Sequence, residues 1–170
     1  MSAAIESNSA GVLAKPGKHL VFLLGRELYG LPVLKVREII RLVEITFVPQ
    51  MPPCVKGVIN LRGKLVPVMD LRIRLDLKAR EFTGAACIVV AQVKSASGGS
   101  TSMGFIVDGV EGVLNLAQDE LEKTPDFGIN PAAEYLSGMA NVKGRVIALL
   151  DIDRVVDKGS LERTNEFAAD

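Results

Sequence analysis

Apolar residues along this chain come in short bursts separated by turn residues, and few bursts carry a sustained helical period. Leu20-Val21-Phe22-Leu23-Leu24 is an apolar run that stops at Gly25. A second run, Leu28 to Leu34, follows Gly25-Arg26-Glu27, and that spacing predicts a tight hairpin. Ile45-Thr46-Phe47-Val48 is β-branched and aromatic and ends at Pro49. Lys64 to Asp70 leaves a glycine turn and is apolar on both faces, as a barrel strand is. Pro67 within it cannot donate to a ladder, which predicts an edge strand or a bulge. Runs at Ala86–Val93, Met103–Val107 and Val146–Leu150 continue the plan. Helix-like spacing is confined to Val36–Leu42, Pro53–Ile59, Leu71–Leu75 and the stretch from Asp153 onward. Many short strands with turn residues between them predict an all-β chain, barrel or sandwich.

The pattern occurs twice. Asn60-Leu61-Arg62-Gly63-Lys64-Leu65-Val66-Pro67-Val68-Met69-Asp70-Leu71 is echoed, 81 residues on, by Asn141-Val142-Lys143-Gly144-Arg145-Val146-Ile147-Ala148-Leu149-Leu150-Asp151-Ile152. Gly57 and Gly138 keep the same offset. Upstream the offset is 74: Tyr29-Gly30-Leu31-Pro32-Val33 matches Met103-Gly104-Phe105-Ile106-Val107, and Val36-Arg37-Glu38-Ile39-Ile40 matches Val110-Glu111-Gly112-Val113-Leu114. A repeat of roughly 70 to 80 residues is too long for a solenoid unit and predicts two similar small barrels side by side.

Composition narrows the class. With 20 basic and 20 acidic residues in balance, the chain offers no electrostatic case for nucleic acid or an anionic membrane. Its N-terminal residues lack the basic and long apolar segments of a signal peptide. No apolar stretch approaches the ~20 residues of a membrane helix. Cys54 and Cys87 lie far apart and fit buried free thiols of a reducing cytoplasm. Residues 1–17 and 158–170 are expected to be flexible ends, and Ser95 to Ser102 a flexible hairpin loop.

Catalytic chemistry finds little to work with. His19 is the single histidine and stands at the mouth of an apolar strand, where a structural role is the ordinary reading. One histidine and two distant cysteines, without HxxxH or CxxC spacing, argue against a metal site. Gly98-Gly99 is not followed by the lysine and helix of a phosphate loop. Asp70 and Asp151, matched in the repeats, and Asp108 are expected to end strands by bonding backbone amides. No enzyme and no cofactor are expected.

A binding surface remains, and differences between the repeats suggest where. Arg62 precedes Gly63 at a hairpin turn, and its planar fork suits a carboxylate or carbonyls better than the matching Lys143 does. It also reads as an ordinary solvated turn cation. Glu38 lies among Val36, Ile39 and Ile40, either on an exposed face or as partner to a nearby arginine. Val36, Ile39, Val110 and Val113 fit either the core or the walls of a cleft between the barrels.

At these residues the chain resembles the CheW family of bacterial adaptors. The motifs are Tyr29-Gly30 with Val33, Val36-x-Glu38-Ile39-Ile40, Pro49, Gly57-Val58-Ile59-Asn60-Leu61-Arg62-Gly63, Val66-Pro67-Val68-Met69-Asp70-Leu71-Arg72 and Val107-Asp108-x-Val110. The similarity runs from about Leu20 to Val156. It implies two SH3-like five-stranded barrels with a hydrophobic groove between them, in a domain over 18–157 (barrels about 18–83 and 84–157). It also implies no activity and no cofactor. One implied partner is the cytoplasmic hairpin tip of chemoreceptors, bound by Arg62, Val36, Glu38, Ile39, Gly57 and Val113. The other is the regulatory domain of a CheA-type histidine kinase, meeting the first barrel around Leu42, Val43, Glu44, Thr46, Phe47 and Val48. The implied location is cytoplasmic, at membrane receptor arrays, with no direct insertion into the membrane. An adaptor of the same fold in another chemosensory pathway, such as twitching motility or a receptor-linked cyclase, shares every one of these features.

Overall fold

The computed structural model describes residues 14–78, 81–95, 97–125 and 134–156. Its strands are β1 Gly17–Leu24, β2 Glu27–Pro32, β3 Val36–Arg41, β4 Val55–Leu61, β5 Lys64–Asp70, β6 Cys87–Lys94, β7 Ser100–Val107, β8 Gly109–Leu116, β9 Leu121–Glu122, β10 Leu136–Val142 and β11 Arg145–Leu150. Two four-residue helices follow the matched strands: α1, Leu71–Arg74, after β5, and α2, Ile152–Val155, after β11. Asp70 and Asp151 cap them as expected. The Asp70 carboxylate accepts from the Arg72 amide at 2.9 Å, and that of Asp151 from the Asp153 amide at 3.2 Å.

The strands form two sheets, ordered β8-β1-β2-β11-β10-β9 and β3-β6-β7-β5-β4. The repeat is there, but the sheets do not divide at residue 83. The hairpin β1–β2 joins the strands of the second half, and β6–β7 joins those of the first. Each barrel is thus one repeat's hairpin added to the other repeat's remaining strands. The parallel pairs that make the exchange are equivalent: β5 to β7 through Val68↔Gly104, and β11 to β2 through Leu149↔Gly30. A β-carbon on Gly30 would come within 2.9 Å of the Leu149 side chain, and one on Gly104 within 2.8 Å of the Ile88 side chain, so a larger residue at either joint must displace its neighbour. The cause of the exchange is the brevity of the links. Three residues, Val33–Lys35, join β2 to β3, and Asp108 alone separates β7 from β8. Spanning on the order of 10 Å, such links carry the chain into the other sheet but cannot fold it back on itself. The second sheet counts six strands where five were expected, because of the two-residue β9.

The exchange explains the strands that are apolar on both faces. In β6, Ile88 and Val90 fill the first barrel with Ile59, Val66, Val68 and Ile106. The alternate residues Val89, Ala91 and Val93 face a larger cluster between the sheets with Leu20, Phe22, Leu24, Met69 and Phe105. Val21, Leu116, Ala140, Ile147 and Leu149 fill the second barrel. Three cores, one per barrel and one shared, make the halves a single hydrophobic unit.

Two expected helices are strands. Val36–Leu42 reads as helical because Val36 and Ile39 are three apart and apolar. A bulge at Arg37 places both on one face of β3, opposite Ala91 and Val89. Pro53–Ile59 lies largely in β4, which carries its own bulge before Gly57. Ile45–Val48 is not a full strand: Thr46 alone bridges to Val58. The strand around Pro67 is internal rather than at an edge, and the proline is accommodated because the ladder to β7 begins at Val68. The expected flexible ends fall outside the described residues up to 13 and from 157, while Gly17 already belongs to β1.

Candidate functional site

Arg62 stands at the tip of the β4–β5 hairpin, in a two-residue turn where it and Gly63 both have positive φ, 53° and 86°. The Asn60 side chain stabilises that turn by accepting from the Gly63 amide at 2.8 Å, and Asn141 does the same for Gly144 in the second repeat. A long side chain in this left-handed conformation is strained by roughly 1–2 kcal/mol, and it is aimed outward.

The guanidinium reaches Glu38 on β3. Arg62 Nη1 donates to Glu38 Oε1 at 3.1 Å and Nη2 pairs with Oε2, a bidentate fork. Hydrogen bonding from Arg62 holds the Glu38 carboxyl below its ordinary value and raises the Arg62 guanidinium in return. Glu38 lies opposite Val90, a core residue of the first barrel, so its side chain points into the barrel's open end. An open pocket of about 560 Å³ is lined there by Glu38, Arg62, Leu65, Val66 and Thr101. Lys143 and Gly112 make no such pair, and the second barrel has Arg145 to Glu111 at 3.3 Å instead.

The other receptor-side candidates divide between two places. Ile39 is 43% exposed on β3 and Val113 55% exposed on β8, each on the outer edge strand of its sheet. Ile39 lies opposite Val89 and Val113 opposite Leu20, both members of the inter-sheet cluster. Cross-strand partners share a face, so both side chains carry the inter-sheet apolar face out to solvent. Val36 is half-buried against that cluster, and Val110, opposite Phe22, is exposed beside it. A bulge at Glu111 aligns Val110 with Val113 as the bulge at Arg37 aligns Val36 with Ile39. Glu38 therefore projects from the opposite face of β3 to Ile39. Gly57 is buried at φ 143°, and a β-carbon there would lie 1.9 Å from the Thr46 carbonyl oxygen. Its role is to let Thr46 cross over β4.

The kinase-side segment is also divided. Leu42 turns inward against the first barrel's core together with Ile45. Thr46 exchanges two backbone hydrogen bonds with Val58, both 2.9 Å. This bridge and the Arg62–Glu38 pair draw the outer strands β3 and β4 toward one another. Val43, Glu44 and Phe47 are exposed, Phe47 by 75%, while Val48 is half-buried. Met51 and Leu65 are exposed apolar residues that sequence reasoning missed; Leu65 was detectable as the outward alternate of Val66.

His19 is buried and its Nδ1 bonds the Gly17 carbonyl at 2.9 Å. Among the described residues no three His, Cys, Asp or Glu side chains group as metal ligands, and no helix is long and apolar enough to cross a membrane.

Comparison with known proteins gives concordant matches. A family model described as the CheW-like domain matches residues 18–160. The chain is 35% identical over 150 residues to the chemotaxis protein CheW of Rhizobium meliloti, covering 88% of this chain and 94% of that one. It is 32% identical over 149 residues to the chemotaxis protein CheW of Klebsiella aerogenes, covering 88% and 87%. Its structure matches that of the scaffolding protein TtCheW of Thermoanaerobacter tengcongensis with a TM-score of 0.75 and 29% identity, covering 86% and 96% of the two chains.

Proposed function

The chain belongs to the CheW-like family, and from that premise we propose how it acts as a chemotaxis coupling adaptor, joining chemoreceptors to a CheA-type histidine kinase. The observation that carries the site assignment is the pair of matched apolar edges. Val36 and Ile39 on β3, and Val110 and Val113 on β8, extend the inter-sheet face to solvent at equivalent positions. They form the rims of a groove for an apolar helical face of the receptor's cytoplasmic hairpin tip. Arg62 adds register from the first barrel's mouth. Glu38 occupies two of its five N–H donors and orients the rest toward an incoming acceptor.

The regulatory domain of the kinase docks on the exposed side of the segment at 42–48, with Phe47 and Val43 as its apolar anchors. Leu42 and Ile45 hold that segment to the barrel from below. The adaptor unit is residues 18–157, and its place is the cytoplasmic side of a receptor array. Each contact buries less than about 1,200 Å², in the range of transient signalling complexes, and the array gains strength from linked contacts.

Titration calorimetry against a receptor hairpin fragment and against the kinase regulatory domain tests the assignment. Arg62→Ala is expected to lose receptor affinity about ten- to hundredfold with unchanged circular dichroism and unchanged kinase binding. Wild-type receptor affinity in this variant rules out the arginine as an anchor. Absence of binding to the kinase domain by folded wild-type protein moves the adaptor to another chemosensory pathway.

A further inference from the structure

The chain crosses between its sheets at two points, Val33–Lys35 from β2 to β3 and Asp108 from β7 to β8. Each crossing is tied by an ion pair to the short helix that ends the other repeat's last strand. At the second crossing, Arg72 of α1 donates from Nη1 to Asp108 Oδ1 at 3.2 Å, and Asp108 Oδ2 accepts from the Gly25 amide in the β1–β2 turn at 2.7 Å. At the first, Lys35 donates to Asp153 Oδ2 of α2 at 3.3 Å, and Asp153 Oδ1 accepts from the Lys94 amide at the end of β6 at 2.9 Å. Residues 72 and 153 are equivalent by the 81-residue offset. The two ties are one device with the charges reversed.

They differ in strength. Arg72 is 4% exposed and Asp108 20%, and the guanidinium lies 3.8 Å over the Phe82 ring. Lys35 and Asp153 are 40% and 21% exposed, beside an open pocket of about 540 Å³ whose lining includes Leu34 and Ile152. A sheltered arginine pair holds its geometry, whereas an exposed lysine pair is screened and mobile.

Asp108 immediately precedes β8, the strand that carries Val110 and Val113. We propose that the Arg72–Asp108 pair is the positioning element of the receptor groove, setting the β8 rim relative to the first barrel without touching the receptor. The inference rests on the groove reading above and adds to it the residues that hold the two rims in register. The Asp70 carboxylate, at 3.3 and 3.2 Å, stays with Arg72 when Asp108 is neutralised. Asp108→Asn therefore leaves no orphaned buried charge. Its amide oxygen still accepts from Gly25, while its amide N–H groups face the guanidinium. The fold survives and the crossing loosens.

The test compares wild type with Asp108→Asn, Asp108→Glu and Lys35→Met for affinity to a chemoreceptor hairpin fragment and to the kinase regulatory domain. Hydrogen exchange of the amides of 109–113 is followed in parallel. Asp108→Asn is expected to weaken receptor binding about tenfold, to keep kinase affinity within about twofold, and to speed exchange in β8. Asp108→Glu retains the charge and loses less; Lys35→Met changes neither affinity beyond about twofold. Wild-type receptor binding in folded Asp108→Asn, or equal loss for both partners, overturns the proposal. If the Asn variant does not fold, the Glu variant decides by the same criteria: a receptor-selective loss supports the proposal, and no loss or an equal one overturns it. Failure of the wild-type protein to bind the receptor fragment refutes the groove itself, and this inference with it. Normal wild-type binding with unaffected variants refutes the positioning role alone.

Discussion

Gly57→Ala offers the sharpest test of how the first barrel is held together, because its cost can be separated into parts. The substitution puts a β-carbon 1.9 Å from the Thr46 carbonyl oxygen, at a φ of 143° that L side chains rarely adopt. Backbone strain of this kind costs on the order of 1–3 kcal/mol. Relief of the clash requires Thr46 to move, which breaks its two backbone hydrogen bonds to Val58 at about 1 kcal/mol each. The sum is about 3 kcal/mol or more, which at this chain length lowers Tm by roughly 6–12 °C. Gly63→Ala is the control. It also has positive φ, but its β-carbon meets nothing within 4 Å, so it carries strain without a clash and costs about 1–2 kcal/mol. Urea unfolding followed by circular dichroism measures both. Equal destabilisation of the two variants refutes the idea that Gly57 exists to admit the Thr46 crossing. A clearly larger loss at Gly57 than at Gly63 confirms it.

Three further outcomes follow from the same geometry. The Glu38 carboxyl, held below its ordinary value by Arg62, is expected to titrate upward in Arg62→Ala when followed by carboxyl NMR; an unmoved titration contradicts the fork. Because the folded value is the depressed one, the pair's contribution is complete at neutral pH and is lost as pH falls through that value in the acid range. Phe47→Asp is expected to leave the unfolding free energy within about 0.5 kcal/mol of wild type, since the side chain is 75% exposed, and to abolish kinase-domain binding; retained binding removes Phe47 from that interface. Burial pushes both the Cys54 and the Cys87 thiols up, so a thiol reagent at pH 8 should label Cys54, fully buried, only on denaturation and Cys87 slowly. Rapid native labelling of Cys54 contradicts its place in the inter-sheet core.

The turns and caps that frame the candidate site are legible before any coordinates. The Asn-x-x-Gly spacing marks both hairpin turns, because an Asn side chain that accepts from an amide three residues on is a local interaction. The caps at Asp70 and Asp151 are equally local. The two strands taken for helices were misread at bulges. One extra residue at Arg37 turns a period of two into a spacing of three, and Val36 and Ile39 then imitate a helix face. Glu38 and Ile39, consecutive in the strand, lie on opposite faces by ordinary alternation, which the helical reading of the segment concealed. Gly57 reads as part of a helix-like stretch until the Thr46 carbonyl is seen lying over it.

By itself the sequence determined the all-β class, the two-fold repeat, the turns and caps, and the family, since each depends on neighbours in the chain or on a motif repeated along it. Tertiary structure alone decided which hairpin enters which sheet. The two repeats present equivalent edges, Val68 to Gly104 and Leu149 to Gly30, so local preference does not distinguish a hairpin's own sheet from the other repeat's. The choice is made by the reach of two short links and by burial of the shared core that the exchange creates. Arg62 meeting Glu38 and Arg72 meeting Asp108 are consequences of that closure, because side chains 24 and 36 residues apart meet only when distant strands have curled together.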